Sequence, residues 1–361
     1  MKKLFLSLSL LLCALPFLTG CCCPCNPEAK TSHISHRYAS AEEGRQLRLN
    51  NTNYFNALTQ NDIDWKLRST GKTLDDFKAY AASQIKDFTE EETKAIDAMV
   101  SLIELRLDAL GICLQTDEII LIKSDTEDEG GAAGFTHKNE IYLTSFFVEA
   151  LVYTMKGENV YPPEYLEYVS LLFPSILTHE VFHCLTRNDA RFRQQMYSLI
   201  GFTVMDHEVE FGPTVRNLLL QNPDVERFDN WAEFTINGQK RRCILIPVYE
   251  CSFAEAAATD PNASFFDHMQ CVLVPLDAPD TMIPVEQASD FYTVLGHNTD
   301  YVIAAEECLA DNFGNLVAYG FNGYYDFVDG GVQFIPYQTP QLMHNICETV
   351  RNYYNAADPE R

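Results

Sequence analysis

Basic side chains are scarce in this sequence: 26 lysines and arginines face 51 aspartates and glutamates, which leaves a net charge of −25 over 361 residues. A surface of this sign repels nucleic-acid phosphates and offers no polybasic patch to an anionic membrane. We therefore expect no nucleic-acid partner. Internal repeats and low-complexity tracts are also absent beyond the N-terminal segment, so nothing indicates a repeat architecture.

The N-terminus lacks a hydrophobic run of transmembrane length. Lys2 and Lys3 precede an apolar stretch over residues 4–18, which is shorter than the ~20 residues that a membrane-spanning helix needs. A basic start, a short apolar core and small residues before a cleavage point are typical of a secretory signal. The motif Leu18-Thr-Gly-Cys21 resembles the bacterial lipobox, in which the cysteine is lipidated and becomes the first mature residue.

We therefore expect residues 1–21 to form a lipoprotein signal peptide and Cys21 to be the lipidation site. The lipid would anchor the protein to a membrane of the bacterial cell envelope, on an extracytoplasmic face. Residues 22–40, which include Pro24 and Pro27, are predicted to form a flexible tether.

Seven cysteines lie in the body of the chain, at positions 113, 184, 243, 251, 271, 308 and 347. An extracytoplasmic compartment permits disulfides, and an odd number leaves at least one thiol free unless a tether cysteine pairs. Cys243, Cys251 and Cys271 share a strand-rich segment, so we expect a bridge among them without being able to name its partners.

Residues 41–227 combine predicted helices with short strands. Helical spacing extends over residues 41–112, where Thr73 and Thr89 each precede acidic residues in the pattern of a helix N-cap. A β-branched run at 118–122 predicts a strand. The acidic run that follows, residues 124–131, indicates a solvated turn more than a calcium loop.

The sequence pattern of the C-terminal half changes twice, first to strand-like and then to helical. Residues 228–290 contain β-rich stretches at 243–249 and 271–275, which predict a sheet-forming insert. Residues 291–361 return to helical spacing, most clearly over residues 300–319. The fold class predicted for the whole chain is therefore α+β, with N-terminal helices, a β-rich insert and a C-terminal helical part.

The segment His179-Glu-Val-Phe-His183 lies in an apolar run that is compatible with a helix. Residues four apart on a helix share a face, so both imidazoles can bind one metal ion from the same side. Glu180 lies one step round the helix, where its carboxylate can reach a metal-bound water. Catalytic zinc usually takes a third protein ligand and keeps one position open, so a further acid or histidine is expected.

Two candidates for that third ligand lie close in sequence. Asp189 follows His179 by ten residues, as in an extended zinc motif, but Thr186 occupies the position where that motif has a glycine for the turn. A second candidate is an acidic cluster further along the chain. Its residues show no helical spacing, so a solvated loop is the better explanation. Its members are Asp206, His207, Glu208 and Glu210.

The favoured candidate is Glu307, which lies with Asp311 on one face of the predicted 300–319 helix. Glu307 could complete the metal set, and Asp311 could then accept a hydrogen bond from a ligand imidazole and fix its tautomer. Ala310 and Gly314 are small and would let this helix approach the His179 helix closely.

His-Glu-x-x-His followed by Glu-x-x-x-Asp on a second helix resembles the gluzincins, the thermolysin-like zinc peptidases, and residues 307–314 are similar to the second motif of that family. The resemblance implies a zincin-like catalytic core and a peptide or protein substrate. It implies that His179, His183 and Glu307 bind Zn²⁺, with Glu180 as general base. Residues 184–306 separate the two motifs by more than the thermolysin-type arrangement does, so only the active-site chemistry is inferred.

In zincins the strand before the metal-binding helix often forms an edge along which an extended peptide lies. By analogy the strand predicted to end at Leu143 would have this position, because an edge strand can pair its backbone with a substrate.

Peptide hydrolysis also needs a donor for the developing oxyanion. His297 and Tyr301 are candidates because both lie in the segment leading into the Glu307 helix. Tyr249, Tyr324 and Tyr325 are alternatives. Two other functions stay open, a zinc amidase acting on cell-wall peptides and a surface lipoprotein that only binds a partner.

Overall fold

The computed structural model describes residues 31–158, 160–260, 262–328 and 331–356. Over these residues the chain is α+β, as predicted from the sequence. The predicted signal peptide, the lipidation site Cys21 and residues 22–30 of the predicted tether lie outside the described residues.

The strands, in chain order, are β1 (His36–Tyr38), β2 (Ile85–Lys86), β3 (Ile119–Ser124), β4 (Gly134–His137), β5 (Glu140–Thr144), β6 (Thr203–Val204), β7 (Asn230–Ile236), β8 (Gln239–Tyr249), β9 (Met269–Pro275), β10 (Ile283–Pro284), β11 (Gly323–Val328) and β12 (Gly331–Pro336). The α-helices are α1 (Ala41–Leu49), α2 (Thr52–Ala57), α3 (Gln60–Lys66), α4 (Leu74–Gln84), α5 (Glu90–Ala109), α6 (Ser145–Lys156), α7 (Pro163–Asn188), α8 (Ala190–Leu199), α9 (Pro213–Leu218), α10 (Phe253–Thr259), α11 (Phe291–Leu295), α12 (Ala305–Tyr319) and α13 (Pro340–Asn355).

Reciprocal side-chain caps start three of the N-terminal helices, α3, α4 and α5. The Thr73 hydroxyl accepts from the Asp76 amide, and the Asp76 carboxylate accepts from the Thr73 amide, at the start of α4. Thr89 and Glu92 form the same capping box at α5. The two predicted N-caps are confirmed, since a threonine followed three residues later by an acid satisfies amides that a helix leaves unpaired.

The first sheet has the strand order β1–β3–β5–β4, with β2 paired to the end of β3. Strands β1 and β5 run parallel to β3, whereas β4 runs antiparallel to β5 and forms an edge. The strand predicted to form the edge, which ends near Leu143, is β5 and is internal, because residues 134–137 pair with its other side. The tether prediction is wrong at its C-terminal end. Residues 36–38 pair with β3, and the flanking Ile34 and Ala39 are buried, because apolar side chains at these positions join the core.

The acidic run 124–131 is solvated only in part: Glu127, Gly130 and Gly131 are exposed, but two of its acids are buried. The side chains of Asp128 and Glu129 are 1 % and 3 % exposed, and the buried guanidinium of Arg48 donates to both. Lys66 makes a further ion pair with Glu129. For these two acids the prediction failed because two cations from the N-terminal helices enter the interior and pair with these carboxylates, and buried charges persist only when they are paired.

The predicted β-rich insert supplies β7–β10 of a second, antiparallel sheet of strand order β10–β9–β8–β7–β6, and β6 comes from the chain before the insert. Successive side chains of β8 point to opposite faces. Leu245 therefore joins the main core, whereas Ile244 and Ile246 pack in a separate cluster with α9.

In the described residues, Cys184, Cys243, Cys251, Cys271, Cys308 and Cys347 form no disulfide. The expected bridge among Cys243, Cys251 and Cys271 is absent from this part of the chain. The β8–β9 register explains why: it places Cys271 opposite Pro247 and Cys243 opposite Pro275, so the two strand cysteines are never cross-strand neighbours.

Helices α7 and α12 pack against each other within the main core. Pro163 starts α7, and the helix continues through Pro174. A Cβ at Gly314 of α12 would lie 2.5 Å from the carbonyl oxygen of Ser175 on α7. The Ser175 hydroxyl donates to Asn315 at 2.8 Å. The missing side chain at Gly314 therefore permits the close approach that the sequence predicted.

Helix α7 is long and apolar enough to cross a membrane by length and composition alone. However, 72 % of its most apolar window is buried within the protein. A helix that is apolar on most of its faces is expected at the centre of a large core, and α7 occupies that position.

Gly314→Ala should force α7 and α12 apart, because a methyl group cannot fit 2.5 Å from a backbone oxygen. We expect the free energy of unfolding to fall by about 1–3 kcal/mol, the usual cost of overpacking a core, as measured by chemical denaturation. Gly331→Ala is the matched control, since nothing lies within 4 Å of a Cβ at that position. Equal stability of the two variants would show that the helix contact does not depend on glycine.

Candidate metal centre

Two imidazoles and one carboxylate converge where α7 packs on α12. Nε2 of His179 lies 3.1 Å from Oε2 of Glu307, and Nε2 of His183 lies 3.6 Å from the same oxygen. One donor atom from each of the three residues lies within 4.8 Å of the other two. The fold therefore brings together the three residues that the sequence motifs singled out as ligands.

These distances fit a small divalent cation. A tetrahedral ion with bonds of about 2.0–2.1 Å holds its ligand atoms roughly 3.3 Å apart, close to the 3.1 and 3.6 Å found here. Nε2 of His183 and Oε2 of Glu180 are buried without a hydrogen-bond partner among the described residues. Buried polar atoms without a partner are rare unless an ion or a water binds them. The donor set and these two unpaired atoms therefore both fit a metal such as zinc.

Glu306 contacts the His183 ring at Nδ1, the nitrogen that does not face Glu307. Its Oε1 lies 3.1 Å from Nδ1 of His183 and also accepts from the Thr186 hydroxyl. Its Oε2 accepts from the Tyr197 hydroxyl at 2.6 Å. A carboxylate at Nδ1 keeps the proton on that nitrogen, which leaves Nε2 as a lone-pair donor towards a metal.

That role was predicted for Asp311, and at His183 the structure gives it to Glu306. Burial raises the pKa of the Asp311 carboxyl, and the nearby imidazole of His179 opposes that rise. Asp311 hydrogen-bonds Thr299 and Asn315, and no hydrogen bond joins it to either imidazole in the described part of the chain. The helical phase explains the difference. Glu306 precedes Glu307 by about 100° of rotation, which turns it towards Nδ1 of His183. The adjacent acids 306 and 307 were visible in the sequence. Which of them binds the metal and which positions a histidine depends on the residues that pack against them.

The centre concentrates negative charge in a buried space. Burial opposes ionisation of Glu307, but the two imidazoles outweigh it and hold the pKa of this carboxyl well below its ordinary value. Burial likewise opposes charge on His183, yet the nearby carboxylates raise its pKa. Buried charges need partners, and a divalent cation would supply the positive charge that two imidazoles provide only by binding protons. The acids are Glu180, Asp224, Glu306 and Glu307.

Glu180 lies beside the edge strand. A Cβ at Gly134 of β4 would lie 2.7 Å from Oε1 of Glu180, so glycine leaves the space that this carboxylate occupies. Burial, followed by the nearby carboxylate of Asp224, raises the pKa of Glu180 to about 8. A cation bound beside this carboxyl would favour its ionised form, which is the form that accepts a proton in general acid–base catalysis.

Asp224 is a residue of the centre that sequence analysis missed. Donor atoms of Asp224, Glu180 and His183 lie within 4.8 Å of one another. Thr136 of β4 donates to Oδ1 of Asp224 through both its amide and its hydroxyl, each at 2.6 Å. Asp224 lies in the loop between α9 and β7, where no periodicity points to the centre. The only local signal is the preceding Asn-Pro dipeptide, which is typical of a turn.

Of the two favoured oxyanion donors, Tyr301 borders the centre and His297 does not. The ring centroids of Tyr301 and His179 are 6.1 Å apart. Burial and the carboxylate of Glu307 raise the pKa of the Tyr301 hydroxyl. His297 stacks on Tyr292 at a centroid distance of 3.9 Å, and no described contact joins it to the predicted ligands.

The alternative tyrosines lie elsewhere. Tyr249 is fully buried and donates its hydroxyl to Asp62 at 3.2 Å. Tyr324 and Tyr325 lie on β11, where Tyr324 stacks on Tyr337. Within the described residues, none of the three donates a hydrogen bond to the predicted metal ligands.

The alternative metal ligands also lie away from the centre. Asp189 caps α8 by accepting from the amides of Arg191 and Phe192, so its carboxylate is already engaged. The acidic cluster 206–210 is largely exposed, and its His207 pairs with Asp206 at 2.6 Å on the surface. Neither position competes with Glu307 for the two imidazoles.

Comparison of the chain with protein-family models, with curated proteins and with solved structures finds no match. The function is therefore inferred from the geometry of the centre. In that geometry two helices, an edge strand and one loop meet around three donor atoms.

Glu306→Ala should weaken metal binding although it removes no metal ligand. Without the carboxylate the His183 ring can rotate and change tautomer, and losses of this kind cost about 10–100-fold in metal affinity. Competition with a chromophoric chelator would measure the Zn²⁺ affinity. Tyr197→Phe, which removes only one hydrogen bond to Glu306, is the control and should cost less. Wild-type affinity in Glu306→Ala would contradict the positioning role.

Proposed function

We propose that this protein is a zinc-dependent peptidase of the gluzincin type, in which His179, His183 and Glu307 hold Zn²⁺. The observation that supports it most is the convergence of the three donor atoms from motifs separated by residues 184–306. A chance match to the first motif gives no reason for a distant carboxylate to meet both imidazoles. When bound, zinc would polarise the scissile carbonyl and lower the pKa of a coordinated water towards neutrality.

The surroundings support a zincin-like core. Strand β4 is an antiparallel edge strand, and its first residue, Gly134, contacts the carboxylate of Glu180 on the helix that holds both histidines. An edge strand presents a row of backbone groups to which an extended peptide can add as a further strand. A peptide bound along β4 would therefore run beside Glu180, which favours a polypeptide substrate.

In this proposal Glu180 is the general base. It takes a proton from the attacking water and returns it to the leaving nitrogen as the C–N bond breaks, so the products are a carboxylic acid and an amine. Tyr301 borders His179, and its hydroxyl would donate a hydrogen bond to the developing oxyanion. Glu306 keeps His183 in the tautomer that the ligand set requires.

The N-terminal sequence supports a proposal for where the protein is located in the cell. A signal peptide that ends in Leu-Thr-Gly-Cys would leave Cys21 lipidated and the enzyme anchored to the membrane on an extracytoplasmic face of the cell envelope. Peptides or proteins of that compartment are then the substrates.

Glu180→Gln should retain zinc and lose hydrolysis, because an amide cannot accept the proton of the attacking water. Loss of a general base typically costs about 10²–10⁴-fold in rate. Metal analysis would measure zinc occupancy, and a mixed peptide library would measure cleavage. Glu210→Gln changes an exposed acid and should behave as wild type. Full activity in Glu180→Gln would end the assignment of the base.

Glu307→Ala should lose zinc, since it removes one of three protein ligands and leaves two imidazoles. We expect wild-type protein to keep one zinc per chain after dialysis and the variant to become substoichiometric, by metal analysis. His207→Ala, which removes an exposed histidine, is the control for nonspecific loss. Unchanged occupancy in Glu307→Ala would make Asp224 the third ligand instead.

A further inference from the structure

A loop segment covers the metal centre from outside. We call residues 222–226 the occupying segment. The side-chain amide of Asn222 donates to Oε1 of Glu307, the proposed ligand carboxylate. The carboxylate of Asp224 lies within 4.8 Å of a ring nitrogen of His183. The occupying segment therefore contacts one proposed ligand directly, through Asn222, and brings a further acid close to another, His183.

The occupying segment also covers the edge of β4. The Thr136 amide donates to Asp224 at 2.6 Å, and the Lys138 amide donates to Glu226 at 3.5 Å. Thr136 lies in β4, whereas Lys138 begins the turn that joins β4 to β5. The Asp224 carboxylate therefore accepts from an amide of the edge strand, where a carbonyl group of an added peptide strand would otherwise accept, and Glu226 accepts just beyond the end of that strand.

Side chains alone hold the occupying segment in place. Arg187 of α7 donates to the carbonyl of Asp224 at 3.3 Å and pairs with Glu226 at 2.8 Å. Within the described residues, no backbone–backbone hydrogen bond joins the occupying segment to β4. A polypeptide that offers its backbone to β4 could therefore replace these contacts with a strand ladder.

The space between the occupying segment and the metal centre is too small for a substrate. A cavity of about 50 Å³ lies between the segment and Gly134 and Tyr301, and another of about 70 Å³ lies between the segment and His183 and Glu306. Ligand sites usually have volumes of about 300–1,000 Å³. Withdrawal of the occupying segment would join the two cavities along the proposed peptide-binding edge. A further cavity of about 750 Å³ also borders the segment, at Asn222 and Glu226, but it is lined by none of the proposed ligands.

We propose that the occupying segment holds the enzyme in a latent form, in which Asp224 is an additional ligand of the cation and residues 222–226 cover the peptide-binding edge. This inference rests on the proposed peptidase function. Catalytic zinc keeps one position open, whereas a fourth protein ligand closes the site as in structural zinc centres. An extended polypeptide that accepts a hydrogen bond from Thr136 displaces the segment and opens the centre.

Two substitutions at one position test this. Asp224→Ala removes the carboxylate ligand and the acceptor for Thr136, whereas Asp224→Asn keeps the acceptor and the size but removes the charge. The first readout does not depend on turnover: the protein is loaded with Co²⁺, its visible absorption is recorded, and acetohydroxamate, a small oxygen ligand for the metal, is titrated. Both variants should change the Co²⁺ spectrum, and Glu210→Gln should not.

We expect Asp224→Ala to bind acetohydroxamate about tenfold more tightly than wild type, since a closed form reduces the apparent affinity by the fraction that is open. Cleavage of a mixed peptide library by the zinc protein should rise by a similar factor. Circular dichroism and thermal unfolding check that the variants are folded. If Asp224→Ala does not fold, Asp224→Asn and Glu226→Gln replace it. The Co²⁺ absorption spectrum is then the deciding measurement for Asp224→Asn, and hydrogen exchange of the Lys138 amide is the deciding measurement for Glu226→Gln.

The outcomes separate the two proposals. Equal acetohydroxamate affinity and identical Co²⁺ spectra in wild type and Asp224→Ala would overturn the latent form. Cleavage by wild type as fast as by Asp224→Ala would do the same while supporting the peptidase. Tighter acetohydroxamate binding without cleavage of any peptide would support the occupying segment as a metal-site cover and reject the peptidase. Failure of all the proteins to bind a divalent cation would reject both.

Discussion

The contact between α7 and α12 is the constraint on which the metal centre depends. His179 and His183 are one helical turn apart, about 5.4 Å along the axis, so a single oxygen can approach both rings only from between them. Gly314 lets the backbone of α12 come so close to Ser175 that no side chain would fit. That approach delivers Oε2 of Glu307 to 3.1 and 3.6 Å from the two ring nitrogens. A wider helix spacing would leave the carboxylate beside one ring or neither.

The interior contains two buried groups of acids that are balanced in different ways. Asp128 and Glu129 are paired with Arg48 and Lys66, which are permanent cations supplied by the chain. The acids around His179 and His183 have no such partner: in the described residues, Lys and Arg make no ion pair with Glu180, Glu306 or Glu307. Because buried charge must be compensated, the first group stabilises a fixed structure, whereas the second fits an exchangeable cation. The occupying segment adds a further acid, Asp224, to the second group. More buried negative charge then has to be compensated by a cation.

The chemistry of the centre was easier to predict than its surroundings. The ligand candidates His179, His183 and Glu307 could be named because helical periodicity alone puts each pair of motif residues on one face. Glu306 and Asp311 were not distinguished, since their roles depend on the rotation of α12 about its axis, which packing decides. Asp224 could not be found at all, because an isolated acid in a turn has no local pattern. The burial of Asp128 and Glu129 was mispredicted for a similar reason: the cations that pair with them are distant in sequence.

The sequence by itself determined the α+β class, the capping boxes at Thr73 and Thr89, the β-rich insert and the two helical motifs, all of which follow from interactions within a few residues. Only the tertiary structure decided that β1 belongs to the sheet, that Cys243, Cys251 and Cys271 form no bridge with one another, and that a loop lies over the centre with Asp224 towards His183. Local patterns fix hydrogen bonds along the backbone and the faces of helices and strands. Contacts between distant segments depend on how those faces pack, and packing is a property of the whole chain.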